Sequence, residues 1–250
     1  MVFNVFLHAF FAIVFGSFTV EADDVIVDDL GFIYAVQGQD LIKWNEKGEQ
    51  LFVFSRLDLG MPEQIDVSDP LRPLLLYPET GTLVVLDNTL SEQRTVRLWD
   101  SDLGLPQWVA SGVNEEIWVY DALNKEIFRT DERLDRQVST GYLPNITGRD
   151  VEFIGMVERH ERLLIGDAGY GFWVFDRFGT LVRRIPIQGL VDFRAHAEGV
   201  FIRTEEQIMW LRYNGVEPKV YEGLNPASTI DVTGSRVYNL ENGVLEISSF

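Results

Sequence analysis

The stretch GFIYAVQGQDLIKWNEKG, residues 31–48, sets an apolar run, a turn with Gly, a second apolar run and a polar turn one after another. Runs rich in Val, Ile, Tyr and Trp, parted by Gly, Asn or Asp, have the composition of a β-hairpin. The pattern returns in PLLLYPETGTLVVLDNTL (73–90), EIWVYDALNKEIFRTDERL (116–134), RLLIGDAGYGFWVFDRFG (162–179), GVFIRTEEQIMWLRYNG (199–215) and SRVYNLENGVLEISSF (235–250). With Asn45, Asp87, Asp131, Asp176 and Tyr213 as equivalent turn positions, the spacings are 42, 44, 45 and 37 residues. A short apolar strand precedes each copy, at 25–27, 64–67, 109–111, 151–154, 191–194 and 229–232, and another follows each of the first five. Four short strands in every unit of about 40 residues mark a β-propeller, whose radial packing leaves only short sheet edges. Six units predict an all-β, six-bladed propeller of mostly four-stranded antiparallel blades. The sixth copy ends at Phe250 on its third strand. The last blade is therefore three-stranded unless residues ahead of the first copy complete it.

Those residues have a competing use. Residues 1–22, MVFNVFLHAFFAIVFGSFTVEA, are densely apolar from Val5 to Phe15 and carry no acid before Glu21. Val20 and Ala22 stand third and first before Asp23, the small-residue pattern of a secretory cleavage site. The Lys or Arg usual near the start of a leader is missing. Asn4 and His8 inside the apolar run weigh against a membrane anchor. The sequence thus predicts a signal peptide at 1–22 and a single propeller domain at 23–250, working outside the cytoplasm with no membrane span after cleavage.

With 21 Lys plus Arg against 39 Asp plus Glu, the formal charge is −18. No basic stripe interrupts it, so a nucleic-acid partner is not expected. The absence of Cys excludes thiol nucleophiles, disulfides, Cys-bound zinc and iron–sulfur clusters. The three His form neither HExxH nor a close pair, and no GxSxG occurs. No catalytic residue, cofactor or metal is assigned, and the chain is read as a non-enzymatic protein.

Trp44, Trp118, Trp173 and Trp210, at repeated strand positions, are expected in the core between blades. Asp87, Asp131 and Asp176 each stand alone on a hairpin, where Asx-turn chemistry accounts for them without calcium. Asp23, Asp24, Asp28 and Asp29 read as a solvated start of the mature chain. Asp66, Asp150, Asp192 and Asp231 lie near the innermost strands, with His196 beside Asp192 as the titrating base. They make the alternative, a propeller hydrolase or lactonase with a divalent metal in the channel, worth testing, as is a ligand-binding propeller.

The segments DVSDPLRPLLLYPETGTLVVLDNTLSE (66–92), IWVYDALNKEIFRTDERL (117–134) and GFWVFDRFGTLVRRIPIQGL (171–190), with DDLGFIYAVQGQDLIKWNEKGE near the start, resemble a periplasmic propeller family of Bacteroidota. In that family we place the Plug subunit of the type 9 secretion translocon. The resemblance implies a periplasmic interaction module, peripheral to the outer membrane, that docks on a large translocon barrel and closes its pore between substrates. Asp66, Ser68, Asp69 and Pro70 form the loop most distinctive of the family and are the candidate partner interface. A tight turn fixed by Pro and capped by Asp accounts for the loop equally well.

Overall fold

Side chains alternate across a strand, and here both faces are covered. Leu74 and Leu76 enter one apolar cluster while their neighbours Leu75 and Tyr77 enter another. The second and third strands of the repeat are therefore mostly apolar, because each is sandwiched between two blades.

A computed structural model describes residues 13–100, 103–215, 217–221 and 224–249. The strands form six four-stranded antiparallel sheets. From the axis outward, blade 1 comprises Ile26–Val27, Ile33–Gln37, Asp40–Trp44 and Gln50–Ser55. Blade 2 comprises Gln64–Asp66, Leu74–Tyr77, Thr82–Leu86 and Glu92–Arg97, and blade 3 Pro106–Ser111, Ile117–Asp121, Glu126–Thr130 and Arg136–Tyr142. Blade 4 comprises Phe153–Arg159, Arg162–Asp167, Gly171–Asp176 and Leu181–Pro186, and blade 5 Leu190–Ala195, Gly199–Thr204, Ile208–Arg212 and Lys219–Tyr221. Blade 6 takes Thr229–Thr233, Arg236–Glu241 and Val244–Ser249 from the end of the chain. One short α-helix, Leu143–Thr147, opens with Pro144 near its start and stops at Gly148, which adopts φ +80°.

The outer strand of blade 6 is Ile13–Thr19, antiparallel to Val244–Ser249, with Ile13 opposite Ser249 and Thr19 opposite Val244. The expected gap in the last blade is thus filled by residues upstream of the first copy. Val20 is fully buried, and its N–H donates to the Gly243 carbonyl at 2.9 Å. Phe18 packs on the cluster between blades 6 and 1, over Gly48, whose φ is +76° and where a Cβ would fall 2.6 Å from the Phe18 ring. The closing segment grips the first blade as well as the last. Residues 13–19 belong to the stretch expected as a leader; residues 1–12, with His8, lie outside the described residues.

Six apolar clusters among the described residues fill the spaces between adjacent blades, the closing space between blades 6 and 1 included. Trp44, Trp118 and Trp173 are buried in them, and Trp210 packs against the cluster between blades 5 and 6. The indole of Trp118 donates to Glu158 Oε2 at 2.5 Å and that of Trp173 to Asp167 Oδ2 at 2.9 Å, so their polar edges are satisfied. The turn position repeats in atomic detail. Oδ1 of Asn45, Asp87, Asp131 and Asp176 accepts the N–H groups two and four residues on, at 2.8 to 3.0 Å. Tyr213 departs from this pattern: its hydroxyl donates to the His196 carbonyl at 2.9 Å.

Candidate functional site: the central channel

The innermost strands enclose a cavity of about 480 Å³ on the axis. It runs from Asp23, Asp24, Glu63 and Asp192 at the strand starts to Ser68, Arg159 and His196 at the strand ends. Propellers carry ligands and partners on such axial openings, so its chemistry bears directly on function.

Two cations lace the strand-end side. Arg159 of blade 4 donates from Nη1 to the Ser68 carbonyl of blade 2 at 2.6 Å, and from Nε and Nη2 to the Ala195 carbonyl of blade 5 at 3.2 and 3.0 Å. Its Nη2 also lies 3.2 Å from Asp29 Oδ2 in the first turn of blade 1. His196, at the end of the inner strand of blade 5, faces Asp231 Oδ1 of blade 6 at 2.8 Å through Nε2 and Asp29 Oδ1 at 3.3 Å through Nδ1. Asp231 Oδ2 accepts the Val27 N–H of blade 1 at 2.8 Å. Blade 3 joins through Gln64, which exchanges bonds with the Val109 backbone at 2.5 and 2.7 Å, and through Asp66 Oδ2, which accepts the Ser111 N–H at 2.6 Å. These bonds connect all six blades. Arg159 and His196 stand 37 residues apart, the same interval that separates Asp176 from Tyr213, so they occupy one repeat position in consecutive blades.

Burial disfavours a charged His196 ring, but the Asp231 and Asp29 carboxylates outweigh it and its pKa is raised to about 9. Burial likewise opposes ionisation of Asp29, and the facing His196 and Arg159 overcome it, holding Asp29 below its ordinary value. The ring is an imidazolium at neutral pH. At the other end, Arg194 bridges Asp192 at 3.0 Å and Asp24 at 2.9 Å, and Arg203 lies 3.7 Å from Asp192.

Of the four acids expected near the axis, Asp66, Asp192 and Asp231 line the channel. Asp150 does not: it is exposed and pairs with Lys125 at 2.7 Å. It precedes the inner strand of blade 4 by three residues and so belongs to the loop outside it. His196, expected near Asp192 as a titrating base, takes Asp29 and Asp231 as its partners. The acidic run at 23–29 is also more engaged than a solvated start: Asp24 and Asp29 are ion-paired, and Asp28 is 1 % exposed and accepts the Tyr34 hydroxyl at 2.8 Å. Arg159 and Arg194 were not singled out in the sequence; the available signal is a basic residue at or next to the end of an apolar inner strand.

The loop at 66–70 sits on the laced side. Asp66 turns inward and accepts the Ser68 N–H at 2.8 Å, while Asp69 caps the turn through the Leu71 N–H at 3.0 Å. Arg72 anchors the loop to blade 3 through the Glu115 and Glu116 carbonyls at 2.9 and 3.0 Å. Ser68, Asp69 and Pro70 are half-buried, and Leu71 is 66 % exposed at the tip. Among the described residues no three His, Asp or Glu are grouped to hold a metal ion, and no helix is long and apolar enough to cross a membrane.

No protein-family model and no curated protein matches the chain. Solved structures do. A streptogramin B lyase superposes with a TM-score of 0.61 at 12 % identity, over 93 % of this chain and 84 % of that one. A protein of unknown function from Bacteroides caccae gives 0.57 at 10 % identity, over 81 % and 82 %. PorZ, an essential surface component of the type-IX secretion system of Porphyromonas gingivalis, gives 0.53 at 13 % identity, over 92 % of this chain and 37 % of that one. At such identities the likeness is one of fold: the chain is a six-bladed β-propeller.

Proposed function

We propose that the chain is a non-enzymatic protein-binding module of outer-membrane export, held in the periplasm against the mouth of a large translocon barrel, which it closes between substrates. The observation that carries this reading is the lacing of the channel. Asp66 and Asp231 each use both carboxylate oxygens in bonds between or within blades, and Asp192 is taken up by Arg194, Arg203 and the Phe193 N–H. His196, paired twice, is no general base at neutral pH. Side chains used this way stiffen a disc and leave recognition to its rim loops, which suits steric closure of a pore. The sequence resemblance supplies the setting, and the fold shared with PorZ is an analogy in keeping with it.

The test is site-specific photocrosslinking from Leu71 in cells that possess the export machinery. The expected product is an adduct with an outer-membrane barrel protein. Adducts confined to other proteins, or turnover of a lactone or glycoside abolished by Asp231→Asn, would replace docking by the enzymatic reading.

A further inference from the structure

The second large concavity lies between blades 4 and 5 and holds about 880 Å³, within the size range of small-molecule sites. Its accessible apolar surface comes from Val174, Val182 and Ile185 of blade 4, above the buried Leu164, Phe172, Val200 and Leu211 of the core between the two blades. Its rim is basic. Arg162, Arg183 and Arg212 line it, and none makes an ion pair with a carboxylate of the described residues. Arg183 is held in place by bonds to the Tyr213 and Gly215 carbonyls at 3.1 and 2.7 Å, which leave other guanidinium donors free, and Arg212 is exposed. Arg159, the fourth guanidinium at the edge, is committed to Asp29, and His160 Nε2 lies 2.8 Å from the Ala197 carbonyl. Glu198 is the one acid of the lining. In a chain with formal charge −18, three guanidiniums around one apolar floor form a local inversion of charge. Such a site is complementary to a ligand that is apolar along its length and anionic at one end.

We infer that this groove binds a single-chain amphiphile with an anionic headgroup, its chain over Val174, Val182 and Ile185 and its headgroup on Arg183 and Arg212. The inference is independent of docking on a barrel. The probe is dodecanoate, titrated calorimetrically into the full chain well below its micelle concentration, beside dodecanol and dodecyltrimethylammonium of the same chain length. Dodecanoate is expected to bind with 1:1 stoichiometry and at least about tenfold more tightly than either, a tenfold step being about 1.4 kcal/mol. Arg212→Gln weakens it about tenfold or more, and Val182→Glu, which places a carboxylate at an exposed position of the lining, abolishes it. Both positions are exposed, so unchanged melting temperatures confirm the fold, and Arg133→Gln on a remote hairpin leaves binding unchanged. Equal binding of the neutral and anionic chains, loss of affinity in Arg133→Gln, no binding, or preference for an acidic peptide over dodecanoate would each overturn the assignment.

Discussion

Replacing His196 with glutamine removes the cation that Asp29 and Asp231 share across blades 1, 5 and 6, and the effect on stability should depend on pH in a defined sense. The folded-state pKa of His196 is raised to about 9 from an ordinary 6.5. Its stabilisation is therefore complete below about pH 6.5 and disappears as pH rises through about 9. At about 1.4 kcal/mol for each tenfold in proton affinity, that displacement corresponds to about 3 kcal/mol. For a domain of this size it amounts to about 6 to 12 °C in melting temperature. The assay is thermal and urea unfolding of both proteins from pH 6 to pH 9.5, with the His196 ring followed by NMR. The gap between wild type and His196→Gln is expected to be widest near pH 6 and to shrink by about 3 kcal/mol by pH 9.5. A gap independent of pH, or a ring titrating at or below 6.5, would refute the imidazolium lacing.

Other substitutions probe the remaining links. A chain beginning at Asp23 lacks the closing strand and the buried Val20, and should lose at least about 2 kcal/mol in urea unfolding; equal stability would mean that Ile13–Thr19 adds nothing to the ring. Asp66→Ala leaves the Ser68 and Ser111 N–H groups without their acceptor and is expected to destabilise by about 1 to 3 kcal/mol. Leu75→Ala opens a cavity between blades 1 and 2 and should cost about 2 to 5 kcal/mol, whereas Leu71→Ala at the exposed tip should change stability by less than about 0.5 kcal/mol. Both are read from denaturation midpoints.

The blades were legible because their signal is repeated and redundant. Each copy buries two strands on both faces, so each is apolar at most positions, and four of five turn positions need an Asx side chain for the same two N–H groups. Ring closure was not legible in the same way. The segment IVFGSFT at 13–19 has the composition of a leader and of an outer strand alike, and only the unpaired edge of Val244–Ser249 distinguishes the uses. Within the channel, the side on which an acid lies depends on which end of the inner strand it flanks. Asp66 closes its strand and turns in, while Asp150 stands ahead of its own and pairs with Lys125. Asp29 reads as one of four surface acids because its partners, Arg159 and His196, are more than 120 residues away in sequence.

The most direct measurement is purification of the full chain from detergent-solubilised membranes of a host that carries the export machinery, followed by identification and quantitation of what elutes with it. A module that closes a barrel should elute with one outer-membrane barrel protein in fixed proportion, and substitution of Ser68, Asp69 and Pro70 should lower that proportion without altering the melting temperature. Recovery of the chain as a free monomer from those membranes, with the barrel in a separate fraction, would contradict docking.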